Sequence, residues 1–203
     1  MNSKLNAILQ NAVNIAIFTH TSPDADALGS AIALEQIISN NFDCKNVDIF
    51  ADGEISELYN PMIREEHINP TPLSEYDLGI IVDSPTIYRT GKFADMIEQI
   101  PQLVNIDHHE TNTRFGHVNY VTTKVSSTCE MIYLLAEMHG YYVDAKTAQS
   151  LYQGIITDTN NLSAVNNKNT LRVVHELLKH NFNAEKIKEY YFQRNSHAKT
   201  KLL

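Results

Sequence analysis

The stretch NIAIFTHTSPDADALGSAIALEQ, residues 14–36, changes its pattern twice and thereby decides the fold. Residues 14–19 form a short apolar run typical of a β-strand, and residues 27–39 repeat apolar side chains at helical spacing. The polar loop between the two segments carries His20, Asp24 and Asp26. A strand, a loop and a helix in this order are the unit from which α/β folds are built.

The same alternation continues along the chain. Further β-like runs occupy residues 46–50, 78–82 and 102–106, and helical spacing recurs in residues 127–139 and 145–156. This pattern predicts an α/β fold with a mainly parallel sheet that carries helices on both faces. Residues 52–77 contain Pro61, Pro70 and Pro72, and we interpret them as an irregular crossover within one domain.

Composition excludes several classes of protein. The 203 residues are 43% hydrophobic and 20% charged, which is typical of a globular protein. With a formal net charge of −8 and no Lys/Arg cluster, a groove for long nucleic acid is disfavoured. No apolar run approaches the roughly 18 residues of a membrane span, and the N-terminus lacks signal-peptide character, so we expect a cytoplasmic protein without a membrane partner. Cys44 and Cys129 indicate neither a zinc site nor a disulfide framework.

Acids and histidines follow three of the predicted strands. His20, Asp24 and Asp26 follow the first, Asp83 ends LGIIVD, and Asp107, His108 and His109 end LVNIDHH. Because ligands bind at the carboxyl ends of strands in open α/β sheets, we expect these side chains to converge. Carboxylates with imidazoles suit Mn²⁺, Mg²⁺, Fe²⁺ or Co²⁺. Spacing alone does not place the further acid, Asp158.

Each motif also has a structural explanation. Asp24 and Asp26 fit a turn and helix N-cap, Asp83 a turn opener, and His108–His109 a polar pair at a strand end. Ser127 and Glu130 match a capping box, whereas the alternative is that residues 126–128 cradle a phosphate. Gly29 is interpreted as allowing the backbone to approach the metal cluster.

Four ordered motifs, HTSPDADALGS, IIVDSP, NIDHHETN and GIITDTNNL, resemble those of the DHH phosphoesterases. The resemblance implies a three-layer sandwich with about five strands and a centre for two Mn²⁺ ions, which Mg²⁺, Co²⁺ or Fe²⁺ can replace. It implies one ion held by His20, Asp24 and Asp83, and a second held by Asp26, Asp83, His108 and Asp158. By the same resemblance, His109 faces the substrate phosphate, Asp107 orients its neighbours, and activated water hydrolyses the phosphoester.

Within this family, PDADALGSAIALEQ and NIDHHETNTRFGHVNYVTTKVSSTCEMIYLL are most similar to the bacterial oligoribonuclease and 3′-phosphoadenosine-5′-phosphate phosphatase branch. The implied substrates are short RNA or nucleotide phosphates. Family II inorganic pyrophosphatases, cyclic-dinucleotide phosphodiesterases and single-strand exonucleases share the site and stay open as alternatives. We predict substrate contacts at Ser30, Arg89, Ser126 and Ser127.

The family pattern also predicts a division of the chain. Residues 1–180 are expected to form the metal domain, and residues 181–203 a helical tail toward a second, substrate-binding domain for which no motif is present. The competing hypothesis is therefore a metal-binding module that is inactive without that domain. The tail could also pack on a second copy of the chain as a homodimer.

Overall fold

The computed structural model describes residues 2–62, 68–165 and 167–193. Five strands form one sheet in the order β2-β1-β3-β4-β5, and every pairing is parallel. The strands are β1 (Asn14–Phe18), β2 (Asn46–Phe50), β3 (Leu78–Val82), β4 (Leu103–Asp107) and β5 (Val118–Val121). The predicted α/β fold with a parallel sheet is confirmed.

One α-helix precedes β1, and the others follow β1, β3 and β5 along the chain. The helices are α1 (Asn2–Asn11), α2 (Ala25–Asn41), α3 (Ala94–Glu98), α4 (Thr128–His139), α5 (Ala145–Asp158), α6 (Lys168–Leu177) and α7 (Ala184–Lys188), with a 3₁₀ turn at Ile87–Phe93 and a π-helical turn at Glu189–Gln193. None of the helices within the described ranges has both the length and the apolar character needed to cross a bilayer.

Alternating strand residues build apolar clusters on both faces of the sheet. Ile15 and Ile17 of β1 enter the larger cluster with α1, α2, α4, α5 and α6, while Ala16 and Phe18 enter the smaller one beneath α3. Parallel strands that are buried on both faces require this continuous apolar sequence. The predicted layers are confirmed, and the layer that carries α3 is the thinner of the two.

The first part of the predicted tail packs against the larger cluster. Ile187 of α7 and Tyr191 of the following turn are both buried there. Residues 194–203, for which a helical continuation is predicted, lie outside the described residues.

Candidate metal centre

The loop after β1 gives Asp24 a structural role and a place in the site. Its Oδ1 accepts the N–H groups of Asp26 and Ala27, both at 3.0 Å, so the N-cap interpretation is confirmed. The same oxygen lies 4.0 Å from Nε2 of His20. Capping therefore orients the Asp24 carboxylate toward the imidazole, and the two interpretations of this acid are compatible.

Asp83 stands between two histidines at the end of β3. Its φ of 54° lies in the left-handed region, which aspartate tolerates better than most residues, and its N–H donates to the Ile106 carbonyl. Oδ2 lies 3.7 Å from Nε2 of His20, and Oδ1 lies 3.6 Å from Nε2 of His108. Oδ1 also accepts the Thr128 hydroxyl at 2.8 Å. One carboxylate thus presents a different oxygen to each histidine.

A second group of ligand-type atoms surrounds His108. Its Nε2 lies 3.9 Å from Oδ2 of Asp26 and 3.7 Å from Oδ2 of Asp158. Asp26 is in the first turn of α2, and Asp158 is the last residue of α5. The close packing of α2 and α5 brings the two acids together, which sequence spacing could not show.

The amino end of α4 binds the Asp26 carboxylate. The N–H groups of Thr128 and Cys129 donate to its two oxygens at 2.7 and 2.9 Å, where the helix dipole also favours negative charge. Ser127 is confirmed as the N-cap, because the Glu130 N–H donates to its Oγ at 3.0 Å. The second half of the predicted capping box differs, since the Glu130 carboxylate accepts the N–H of Ser126 at 2.8 Å and not that of Ser127. At Thr128, the amide that the phosphate-cradle alternative requires is thus occupied by a protein carboxylate.

His109 is fixed by a hydrogen-bonded chain of buried and partly buried polar groups. Its Nδ1 lies 2.7 Å from Oδ1 of the fully buried Asp107, and Oδ2 of Asp107 accepts the side-chain amide of Asn112 at 2.6 Å. That amide also donates to Asn105 Oδ1 and to the Ser84 carbonyl. Sequence reasoning assigned no role to Asn112, although it closes the NIDHHETN motif.

Burial sets the electrostatics of the acids. It raises the pKa of Asp26 to about 7, with a contribution from the Asp158 charge, and raises the pKa of Asp158 to about 6, with a contribution from Asp24. The pKa of Asp83 is raised well above its usual range by burial and by the nearby charges of Asp26 and Asp24. In the absence of a cation, ionising all of these carboxylates together costs free energy, because like charges lie close to one another in a buried site.

The two adjacent histidines are shifted in opposite directions. Burial and the neighbouring His109 lower the pKa of His108, which favours the neutral imidazole that binds metals. The hydrogen bond to Asp107 raises the pKa of His109. Because Nδ1 of His109 is held by Asp107, the other ring nitrogen, Nε2, is the atom that remains for proton exchange.

The donor set fits divalent cations. Ligand-type atoms lie within 4.8 Å of one another in three overlapping groups, of which one joins His20, Asp24 and Asp83 and another joins Asp26, His108 and Asp158. In the described ranges, the ion pairs of Asp24, Asp26, Asp83 and Asp158 involve histidines only, so no Lys or Arg neutralises this charge. Oxygen and imidazole donors without thiolate suit Mn²⁺, Mg²⁺, Fe²⁺ or Co²⁺.

The predicted substrate contacts lie in different surroundings. Ser30, Ser126 and Ser127 are buried, and Oγ of Ser30 lies 3.3 Å from the Cys129 sulfur. Arg89 is exposed in the 3₁₀ turn after β3, and its carbonyl accepts the Thr21 N–H. Contact of these four residues with substrate stays a prediction.

Gly154, and not Gly29, leaves space that the Asp26 carboxylate occupies. A Cβ on Gly154 would lie 2.3 Å from the Cys129 sulfur and 3.0 Å from Oδ1 of Asp26. A Cβ on Gly29 would meet the Ser150 carbonyl at 2.7 Å and the Cys129 sulfur at 3.0 Å, but none of its three nearest atoms belongs to an acid. The interpretation of Gly29 as a contact to the metal cluster is therefore wrong, since this glycine lets α2 pack against the backbone of α5.

The model of the N-terminal domain of the DHH family matches residues 14–155, which include the site from β1 to α5 except for Asp158. The chain belongs to the DHH family. This finding confirms the family resemblance of the motifs. The structure brings together the eight residues that the DHH resemblance singles out, and their individual roles stay predictions.

Curated relatives of this DHH chain include two bacterial proteins. This chain is 32% identical over 176 residues to the Streptococcus mutans protein named "Probable bifunctional oligoribonuclease and PAP phosphatase NrnA". The alignment covers 83% of this chain and 53% of the relative. The chain is 30% identical over 181 residues to the Bacillus subtilis "Bifunctional oligoribonuclease and PAP phosphatase NrnA", with coverages of 85% and 55%. The chain thus spans about half the length of these relatives.

A solved structure shares the DHH fold observed here. An exopolyphosphatase-related protein from Bacteroides fragilis superposes with a TM-score of 0.87 at 22% identity, covering 95% of this chain and 60% of that protein. At this identity the likeness establishes the architecture alone.

Proposed function

We propose that this protein is a divalent-metal-dependent phosphoesterase that hydrolyses short oligoribonucleotides or 3′-phosphoadenosine-5′-phosphate. The observation that carries the proposal is the position of Asp83, whose Oδ2 faces His20 and whose Oδ1 faces His108. A carboxylate in this position can serve two cation sites at once, as in two-metal hydrolases. The substrate class is supported by the names of the relatives of about 30% identity.

The residues divide into two candidate ligand sets. His20, Asp24 and Asp83 would hold one ion, and Asp26, Asp83, His108 and Asp158 would hold the other. When bound, such ions supply Lewis acidity that polarises phosphoryl oxygens and makes coordinated water a nucleophile near neutral pH. The amides of Thr128 and Cys129 keep the Asp26 carboxylate in place during turnover.

His109 supplies the proton chemistry of the chain itself. Its side chain is 41% exposed, and Asp107 holds its Nδ1. Because Asp107 also raises the pKa of His109, the ring keeps a proton closer to neutral pH than an ordinary histidine does. Nε2 of His109 is therefore suited to donate a hydrogen bond to a phosphoryl oxygen, or a proton to the departing oxygen.

The test measures product release from a 5′-labelled RNA dinucleotide, from 3′-phosphoadenosine-5′-phosphate and from pyrophosphate, with Mn²⁺ present. We compare the wild type with Asp83→Asn, which keeps the side-chain shape, and with Asp43→Asn, an exposed position outside the site. The proposal expects release from a nucleotide substrate that Asp83→Asn lowers at least a hundredfold and Asp43→Asn leaves unchanged.

Other outcomes contradict the proposal in distinct ways. Release from pyrophosphate alone would favour a pyrophosphatase. Silence on all three substrates, with Mn²⁺ still bound, would favour a metal-binding module that is inactive by itself.

A further inference from the structure

The 3₁₀ turn Ile87–Phe93 is tied directly to the loop that positions His20. The Thr21 N–H donates to the Arg89 carbonyl at 2.7 Å, and the Thr21 carbonyl lies 3.0 Å from Nδ1 of His20. Two hydrogen bonds through Thr21 therefore connect the backbone of this turn to the ring of a candidate ligand.

A second anchor fixes the same turn. The Lys92 N–H donates to Oδ2 of Asp52 at 3.0 Å, and the Asp52 carbonyl accepts the Ser22 N–H at 2.8 Å. Gly91 has a φ of 64°, and a Cβ there would lie 2.2 Å from Asp52 Oδ2 and 2.5 Å from a methyl carbon of Thr21. The turn, the Asp52 segment and the His20 loop thus form one tightly packed junction.

This fixed turn displays an aromatic ring and a cation. Tyr88 is 78% exposed. Because a side chain stabilises the fold mainly through the apolar surface that it buries, this ring contributes little to stability. The neighbouring Arg89 is also exposed, and within residues 2–62, 68–165 and 167–193 its guanidinium has no carboxylate partner. Arg89 thus carries a positive charge on the turn that is bonded to the His20 loop, in a chain of net charge −8.

We propose that Tyr88 and Arg89 form a nucleotide-recognition rim, in which the tyrosine ring stacks on a base of the substrate and the guanidinium pairs with a phosphate outside the reacting position. The inference rests on the proposed function and deepens it, because it names what holds the nucleoside. Base stacking on an aromatic ring tolerates any base, and a guanidinium matches the geometry of phosphate oxygens. The anchored backbone would hold both groups at a constant position relative to His20.

The test compares KM for a 5′-phosphorylated RNA dinucleotide of two adenosines, which carries a phosphate besides the scissile one, with KM for the same 5′-phosphorylated dinucleotide made abasic. Tyr88→Ala should raise KM for the adenosine substrate about tenfold, so that the preference for bases over abasic residues falls by the same factor. Tyr88→Phe should restore the preference, because it keeps the ring. Arg89→Met should raise KM for both dinucleotides, since both carry the 5′-phosphate that does not react.

The matched control is Tyr142→Ala. Tyr142 is 64% exposed but follows the far end of α4, whose amino end is the one at the site. A twelve-residue helix is about 18 Å long, so this tyrosine is remote from the acids. Its substitution should leave KM for both substrates unchanged.

The outcomes separate the rim from the proposed function. An unchanged preference for bases in an active Tyr88→Ala enzyme would overturn the rim and leave the phosphoesterase intact. If the wild type hydrolyses no ester, the proposed function fails. The rim is then tested by calorimetric binding of adenosine 5′-monophosphate. Binding that Tyr88→Ala weakens about tenfold would support it, and no binding, or binding unaffected by the substitution, would overturn it.

Discussion

Replacing Asp83 with asparagine should make the metal-free protein more stable while it removes the response to Mn²⁺. Ligand-type oxygens of Asp24 and Asp83 lie within 4.8 Å of each other, and two unit charges at that separation repel by about 3 kcal/mol at an effective dielectric constant near 20. The Asp24 side chain is half-exposed, so solvent screens part of this repulsion. We expect a gain of about 1–2 kcal/mol in the free energy of unfolding at pH 8.

The stability difference between Asp83→Asn and the wild type should depend on pH. Because the pKa of Asp83 is raised in the folded state, the folded wild type is stabilised by its extra proton below the ordinary value of 3.8 and loses that stability as pH rises through the raised pKa. Asparagine has no proton to lose. The advantage of Asp83→Asn should therefore be small at pH 4 and grow toward pH 8.

Thermal and urea unfolding in EDTA at pH 4, 6 and 8 measure this difference. A gain of that size corresponds to a rise in Tm of roughly 2–8 °C for a chain of this length. The matched variant is Asp52→Asn, because N–H groups of Lys92 and Gly53 lower the pKa of Asp52. That variant should be less stable than the wild type to a similar extent at pH 6 and pH 8, because the stabilising charge of Asp52 is lost only below the ordinary value of 3.8.

Two results would refute this reasoning. One is an Asp83→Asn protein that is less stable than the wild type in EDTA at pH 8 while its circular dichroism is unchanged. The other is a stability difference that does not vary between pH 4 and pH 8. Addition of Mn²⁺ should then raise the Tm of the wild type but not that of Asp83→Asn, since binding to the folded state alone is stabilising.

Further predictions concern the groups around the acids. Asp107→Asn should lower the pKa of His109, which NMR titration of the ring in EDTA can follow, and an unchanged titration would contradict the role of their hydrogen bond. Gly154→Ala should destabilise the protein by about 1–2 kcal/mol, because the overpacking of a methyl group against Cys129 and Asp26 exceeds the helix preference of alanine. Urea unfolding measures this loss, and a stabilised variant would show that α5 can move away from α2.

The strands of the sheet core could be predicted from sequence because their burial on both faces leaves continuous apolar runs. The runs at 46–50 and 78–82 coincide with β2 and β3, and the run at 102–106 is one residue from β4. The sequence pattern does not reveal β5, because this strand has four residues and only its first is buried. A short edge strand has little of the apolar pattern that identifies its neighbours.

The acids that end strands could be assigned to one edge from topology, whereas two kinds of site residue could not. Asp158 lies on a helix, and its position depends on the packing of α5 against α2 and not on strand order. Thr128 acts through a hydrogen bond to Asp83, which is distant in sequence, and Asn112 through one to the nearby Asp107. Both residue types are common in caps and turns. Their roles become visible only when the partners are placed.

The candidate ligands extend from His20 to Asp158, and no local segment contains a complete set. Whereas a compact zinc motif can organise a short peptide, these side chains meet only after parallel strands and their crossovers have assembled. Loop closure over such sequence separations is slow and occurs late. Cation binding should therefore indicate that the whole domain has folded. A fragment that ends before α5 should lose high-affinity cation binding, even though it contains most of the ligands.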